Sequence, residues 1–418
     1  MKQSLNYIHG LYRKGTKPSL HRIAFLLEQL GQPHKKLKFI HIAGTNGKGS
    51  TAAMTASVLK ESGYKVGLFT SPYIYRFNER MQVNGVQIPD ETVIGLTKKI
   101  RTIAETMEEQ PTEFDFVTAM AMDYFAAENC DIVVLEVGVG GALDATNIIP
   151  KPEVAVVTNI GLDHTDLLGD TLAEIAAVKA GIVKEHTHAV FYPGTAEVEA
   201  VYEKVCAEKH CSYTIVDFSA IRLQSHSLEG QIFDWGKLQN LQLPLLGAHQ
   251  LCNAATVLTI VSYLQNNGWA QITEKTIRAG LQKVSWPGRF EIVSKDPLFI
   301  IDGGHNPQCL EALVENIKDY LVNKKIIVLA GVLADKDYGE MFRPVMPYTE
   351  EFVCITPANP RKMSASDLAE HLRQAGAKAT PCDSVEEGVA LAKKLAGKNG
   401  VILSFGSLYS IGDVRNAL

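Results

Sequence analysis

The run His41-Ile-Ala-Gly-Thr-Asn-Gly-Lys-Gly-Ser50 constrains this chain more than any other segment. An apolar stretch, Leu37 to Ile42, leads into Gly44, Gly47 and Gly49, and Ser50-Thr51-Ala-Ala-Met-Thr-Ala then opens a helical stretch. Strand, glycine turn and helix start together make a phosphate cradle. The glycines let the backbone bend through conformations that other residues avoid, so that its N–H groups converge on phosphate oxygens. Lys48 adds a point charge for the terminal phosphates, and Ser50 offers a hydroxyl to magnesium. In the commonest loop of this kind Ser or Thr directly follows Lys; here Gly49 intervenes. A glycine turn with no ligand is the weaker reading, because Gly, Lys and Ser occur together.

At roughly 100–200 residues per domain, a chain of 418 residues implies two or three domains. A net charge of −5 gives no global basic field, so nucleic acid is not an expected partner. Seven scattered cysteines without a CxxC pair read as free thiols in a reducing cytosol. The start lacks the long apolar core of a signal peptide. No apolar run reaches the ~18 residues of a membrane span. A cytoplasmic protein without a membrane partner is therefore expected.

Short β-branched runs alternate with helical patterns. Lys65–Thr70, 131–137 and 153–160 read as buried strands, 171–184 as a helix and His188–Tyr192 as a further strand. This alternation predicts a parallel sheet covered on both faces. Residues 205–245 break into short polar-separated runs and predict a small antiparallel element; 246–264 returns to helix. After Trp286-Pro-Gly-Arg289 the alternation restarts, without a second phosphate loop. The predicted fold is therefore α/β. A domain boundary is placed at about residue 285, with a second sheet of its own after it.

Several polar residues fall at predicted strand ends. Glu136 precedes Val137-Gly-Val-Gly-Gly141, and a carboxylate at the end of a parallel strand faces the ligand crevice. It is a candidate magnesium ligand beside Ser50. Asp163-His164 follows the next strand; magnesium prefers oxygen, so a ligand role and a hydrogen-bonding surface role weigh equally for His164. The spacing around Lys179 carries no functional signal. His249, Gln250 and Asn253 share one helix face, as a base contact or as a satisfied helix start. Asp302-Gly-Gly-His-Asn-Pro307 repeats the strand, turn and helix-start pattern, with Pro307 suited to a first helical turn. Asp302, His305 and Arg289 are placed to neutralise phosphate charge from the second domain.

These residues resemble the folylpolyglutamate synthase/dihydrofolate synthase branch of the Mur ligase superfamily. The matching segments run in the family's order through most of the chain. They are GTNGKGS (44–50), TSPY (70–73), NER (78–80), EVGVGGALDATN (136–147), DH (163–164), KAGI (179–182), LLGAHQLCNAA (245–255), WPGR (286–289), DGGHNP (302–307), DKD (335–337) and GSLY (406–409).

The resemblance implies a P-loop ATPase-like parallel-sheet domain (1–285) followed by a smaller Rossmann-like α/β domain (286–418), together forming a monomeric ATP- and Mg2+-dependent carbon–nitrogen ligase. Its small-molecule substrates would be L-glutamate and a folate or dihydropteroate carboxylate, activated as an acyl phosphate. It implies that Thr45, Asn46, Gly47, Lys48, Gly49 and Ser50 hold the triphosphate, and that Asn253, Arg289, Asp302 and His305 contact ATP. Lys48, Lys179 and His305 would be catalytic. Ser50, Glu136, His164 and a carbamylated Lys179 would bind metal. Ser71, Tyr73, Arg80 and Asp144 would meet the folate substrate. Three positions depart from the family pattern: Val178 stands where Glu is usual, Gly304 where Ala is usual and Tyr73 where His is common. A Mur-type ligase of cell-wall precursors would need an additional domain before the phosphate loop, for which about 40 residues are too few. A non-catalytic ATP-binding regulator on the same fold would be expected to lose its metal ligands, yet Ser50, Glu136 and His164 are present.

Overall fold

The computed structural model describes residues 1–11, 18–304, 306–332, 341–358 and 362–418. The described chain divides into two compact units. The first comprises residues 1–224, 232–242 and 251–284; the second comprises 225–231, 243–250 and 285–418.

The first unit is organised by an eight-stranded sheet with strand order β4-β3-β2-β5-β1-β6-β7-β8. Its strands are β1 (Phe39–Ala43), β2 (Val66–Phe69), β3 (Met81–Val83), β4 (Val86–Gln87), β5 (Ile132–Glu136), β6 (Val154–Val157), β7 (His188–Phe191) and β8 (Ser212–Ile215). From β2 across to β8 every neighbouring pair is parallel, and β3 and β4 add an antiparallel edge. The hairpin between β3 and β4 turns on Asn84 and Gly85, both at positive φ, as a two-residue turn of this type requires. Strand β1 sits between β5 and β6, so its carboxyl end opens at the sheet's switch point, where ligands bind in open α/β sheets. All residues of β1, β5, β6 and β7 are buried. That explains why they read as continuous apolar runs rather than alternating ones.

Strands β9 (Ile221–Ser227), β10 (Gly230–Trp235) and β11 (Leu238–Leu243) form a three-stranded sheet in that order. Their two-residue connections permit only antiparallel pairing, as expected for this part of 205–245; residues 205–215 differ, because helix Ala196–Glu208 is a crossover that returns the chain to the main sheet, where Ser212–Ile215 runs parallel to β7. The second unit carries a six-stranded sheet, order β12-β13-β17-β14-β15-β16. These strands are β12 (Glu291–Lys295), β13 (Leu298–Asp302), β14 (Ile326–Ala330), β15 (Thr349–Cys354), β16 (Ala379–Pro381) and β17 (Val401–Phe405). Only β12 runs antiparallel; helices such as Pro307–Tyr320 and Val385–Ala396 alternate with the parallel strands. This is the doubly wound pattern expected after residue 286.

The structure departs from the sequence expectations at element ends, each time for a local reason. The strand expected over 153–160 stops at Val157, because residues 158–161 leave the sheet to brace the glycine bend described below. The helix expected over 171–184 spans Leu172–Ala180. Thr171 and Glu174 form a capping box at its start. At its end the Val178 carbonyl accepts from Ala142 N (3.1 Å) as well as from Gly181 N (3.3 Å), so the helix gives way to a loop contact. All seven cysteines are free, as expected. Among the described residues no helix is long and apolar enough to cross a membrane.

One buried charge cluster ties the amino-terminal helices to this unit. Arg22, on helix His21–Gln29, donates from Nε to Asp115 Oδ2 (2.9 Å) and from Nη1 to Glu109 Oε1 (2.7 Å). The Arg22 and Asp115 side chains are each 4% exposed. Removing one partner from such a pair leaves an uncompensated buried charge. Arg22→Met is therefore expected to destabilise the chain by about 3 kcal/mol in urea unfolding; a change below about 1 kcal/mol would contradict this role.

Candidate active site

The glycine bend follows β1 and is held by the residues after β6. A Cβ on Gly44, whose φ is +147°, would lie 1.8 Å from Thr158 Oγ1, so only glycine fits there. The Thr158 hydroxyl donates to the Asn46 carbonyl (2.7 Å), and Thr158 N donates to the Ala43 carbonyl (2.8 Å). Thr45 N donates to the Asn159 carbonyl (2.7 Å), and the Thr45 hydroxyl exchanges 3.1 Å hydrogen bonds with the backbone of Gly161. Gly47, at φ +85°, caps a helix that begins at Lys48 and runs to Glu61. The helix thus starts two residues before the expected Ser50, inside the glycine run. That places the amides of Lys48, Gly49 and Ser50 in its first turn, where they have no intrahelical acceptor and suit an anion.

Asn253 is the residue that a side chain at Gly47 would strike: a Cβ there would lie 2.5 Å from Asn253 Oδ1. That oxygen also accepts from the hydroxyl of Tyr192. The predicted residues Thr45 to Ser50 and Asn253 therefore occupy one locality.

Two lysine side chains converge on the bend. Lys48 Nζ donates to the carbonyls of Gly44 (2.8 Å) and Thr45 (3.1 Å), and Lys179 Nζ donates to the same Gly44 carbonyl (3.0 Å). Lys179 is 4% exposed. Burial, reinforced by the Lys48 charge, pushes its pKa down to about 7, while Asp163 and Asp144 act in the opposite direction. An amine of that pKa has a substantial neutral fraction near pH 7, which the sequence around it did not reveal.

Glu136 ends β5 opposite Ile42 of β1, beside the start of the bend. It is buried, and its Oε2 accepts from Ser71 N (3.0 Å). Ser50 is also buried, in the first turn of its helix. Both contribute oxygen, the donor that magnesium prefers. His164 stands at φ +51° with its side chain 46% exposed and Nε2 3.9 Å from Asp163 Oδ1. Among the described residues no three His, Cys, Asp or Glu side chains gather as a metal site. Ser50 and Glu136 alone would leave most of a magnesium shell to phosphate oxygens and water, which is its usual habit.

The candidate substrate residues divide into two groups. Arg80 Nη1 donates to Ser71 Oγ (3.0 Å), and the Arg80 guanidinium lies 5.2 Å from the centre of the Tyr73 ring. His9 stacks on Tyr73 with ring centres 6.5 Å apart, and its Nδ1 lies 3.2 Å from Glu113 Oε1. His9 and Glu113 were missed in the sequence, since neither lies in a recognisable motif. Asp144 belongs to the glycine loop after β5. Its Oδ1 accepts from Thr146 N (2.9 Å) and Thr146 Oγ1 (2.5 Å), and its Oδ2 accepts from Val139 N (3.0 Å). Burial raises its pKa against these hydrogen bonds. The same loop abuts Lys179: a Cβ on Gly141 would lie 2.7 Å from the Lys179 carbonyl.

In the second unit Asp302 ends β13. Its Oδ2 accepts from Phe290 N (2.8 Å) and its Oδ1 from Gly304 N (2.7 Å). Burial raises its pKa, and neighbouring Arg289 opposes that rise. Arg289 is half-buried and also pushes down the pKa of His249, which burial lowers to about 4. The expected residues His305 and 335–337 lie outside the described residues.

The model of the Mur ligase middle domain matches residues 42–261, and that of the Mur ligase glutamate ligase domain matches 288–408. The dihydrofolate synthase/folylpolyglutamate synthase of Bacillus subtilis is 36% identical, over 99% of this chain and 98% of that one. The chain belongs to the folylpolyglutamate synthase/dihydrofolate synthase family of Mur ligases. The folylpolyglutamate synthase of Lacticaseibacillus casei is also 36% identical, over 100% of this chain and 98% of its own. Within the same family, an Escherichia coli FolC structure in complex with DHPP and ADP superposes with a TM-score of 0.86. It is 32% identical, over 99% of this chain and 96% of that one.

The Lys179 environment gives a signed prediction. With a folded pKa of about 7 against an ordinary 10.5, the folded chain binds fewer protons than the unfolded chain between those values. Stability from this group therefore rises with pH across that window. In buffer free of carbon dioxide, Lys179→Met should stabilise the protein most at and below about pH 7, and the gain should fade towards 10.5. Denaturation curves showing a gain that grows with pH would contradict the assignment.

Proposed function

We propose that this chain is an ATP-dependent carbon–nitrogen ligase that joins L-glutamate to a folate-type carboxylate. The γ-phosphoryl group passes to a carboxylate oxygen of the acceptor, giving an acyl phosphate and ADP. The glutamate amine attacks the acyl carbon, the C–O bond to phosphate breaks, and inorganic phosphate and the amine proton leave. A free carboxylate is a poor electrophile, so phosphorylation supplies the leaving group that amide formation needs. The protein's task is positioning and charge neutralisation.

The observation that carries this reading is the braced glycine bend, with Ser50 and Glu136 buried beside it. In this reading the amides of residues 45–50 hold the triphosphate and Lys48 turns from its carbonyl partners to the terminal phosphate. Ser50 and Glu136 hold magnesium, with His164 as a second metal ligand. Magnesium, when bound, neutralises charge on the transferring phosphoryl group. Lys179 is the candidate for carbamylation, since a neutral amine is the form that takes up carbon dioxide; Val178 beside it remains a departure from the family pattern. Asn253, Arg289, Asp302 and His305 contact the nucleotide. Ser71, Tyr73, Arg80 and Asp144 serve the folate end, where Arg80 and the Tyr73 ring offer a cation and an aromatic face. In this reading the functional domains are 1–285 and 286–418; the two family matches support this division, although residues 225–231 and 243–250 group with the second unit. A cytoplasmic monomer acting without nucleic acid or membrane completes the proposal.

Phosphate release tests the reaction directly. It should require ATP, magnesium, glutamate and either dihydropteroate or tetrahydrofolate together; the preferred acceptor identifies the branch of the family. Lys48→Ala should abolish this release while circular dichroism stays that of the parent; a near-parental rate would remove Lys48 from the phosphate site. Lys179→Ala should slow turnover, and added small carboxylates should partly restore it. An unaffected rate would rule out the carbamate.

A further inference from the structure

His41 is a buried titratable group that the ligase chemistry above does not use. It lies on β1, paired in register with Leu135 of β5 and Ala155 of β6. Its ring is fully buried, and burial, aided by the Lys184 charge, pushes its pKa down to about 3. It is therefore a neutral imidazole at working pH. Its Nε2 lies 2.8 Å from Thr146 Oγ1, while Nδ1 has no hydrogen-bond partner. Thr146 has a single hydroxyl proton, and the Asp144 carboxylate accepts it. The hydroxyl oxygen must then accept from His41 Nε2–H, which fixes the tautomer. The result is a directed chain: imidazole N–H to hydroxyl, hydroxyl to carboxylate, with Val139 N held at the carboxylate's other oxygen.

We propose that His41 and Thr146 are positioning residues that act through Asp144 to fix the glycine loop 137–144 as a seat for the pteridine-bearing acceptor. The proposal rests on the ligase reading and adds to it two residues that touch no substrate. Two further observations support it. The loop exposes two large apolar side chains, Val139 at 44% and Leu143 at 54%, suited to an aromatic ring system. It is also anchored to the Lys179 helix through Ala142 N and the Val178 carbonyl (3.1 Å), while the Asp144 carboxylate holds Val139 N (3.0 Å) on the loop's other side. A rigid β1 thus sets the loop's position from below, through Val137 N on the Ile42 carbonyl (2.9 Å) at the loop's start and through the Thr146 hydroxyl at its far end.

The test uses Thr146→Val, which keeps the shape and removes the link, with Thr146→Ser as the conservative control. In the full-length protein, Thr146→Val should raise the KM for dihydropteroate or tetrahydrofolate, whichever the parent uses, by roughly tenfold or more, the cost of one hydrogen bond to a charged group. The KM for ATP should stay within about twofold, because the glycine bend is braced separately by Thr158. Thr146→Ser should return the acceptor KM to near the parental value. Amide exchange at Val139 should quicken in Thr146→Val and recover in Thr146→Ser, a readout that needs no turnover. An unchanged acceptor KM, a parallel rise in the KM for ATP, failure of the serine variant to rescue, or unaltered exchange at Val139 would each overturn the proposal. Absence of turnover by the parent protein with both acceptors would instead overturn the ligase reading, and the exchange measurement would then decide the loop's support by itself.

Discussion

The contact between Gly44 and Thr158 is the constraint on which the site depends. The side chain of Thr158 fills the space that a Cβ at residue 44 would occupy, and its hydroxyl takes the Asn46 carbonyl. The bend after β1 is thereby fastened to the chain that follows β6. With Asn46 paired to Asn159 as an isolated antiparallel bridge, the carbonyls of the bend turn towards the protein. The first turn of helix Lys48–Glu61 follows the bend directly, a position that suits an anion. A loop held by side chains from a neighbouring strand end does not need a ligand to be ordered, which lowers the entropic cost of binding one.

Within each unit, burial tunes titratable groups in different directions. It lowers the Lys179 amine to about 7 and the His41 imidazole to about 3, and it raises Asp144 and Asp302. The two carboxylates remain usable as structural ties because backbone amides and, for Asp302, a neighbouring arginine oppose the rise. Each ties a glycine-rich turn to its own unit: Asp144 the loop after β5, Asp302 the turn after β13. Both turns demand small residues. A Cβ on Gly138 would meet the Phe114 ring at 2.6 Å, and one on Gly304 would meet Asp302 Oδ1 at 2.8 Å.

The parallel sheet, the glycine bend and the restart after Trp286 were legible in the sequence because each rests on a local signal. Buried parallel strands are apolar throughout, and the bend carries Gly, Lys and Ser at fixed spacing. The brace was not legible. Thr158 and Asn159 read as the continuation of a strand, and only the sheet order brings them beside Gly44. His41 likewise read as one residue of an apolar run. Its partner Thr146 is 105 positions away, and no periodicity links them. The lowered pKa of Lys179 depends on burial and on the Lys48 charge, which sequence spacing does not report. The ordered set of family segments supplied what local signals could not, by naming Asp144, whose surroundings are set by tertiary contacts, and by choosing between the two local readings of Asn253.

The central claim is that the glycine bend receives a nucleotide triphosphate whose metal is held by Ser50 and Glu136. A crystal structure with a non-hydrolysable ATP analogue and magnesium tests it most directly. The account predicts phosphate density over the amides of residues 45–50, a metal touching the Ser50 hydroxyl and the Glu136 carboxylate, and Lys48 Nζ drawn off the Gly44 carbonyl. Nucleotide bound elsewhere, or a metal that ignores both oxygens, would contradict it.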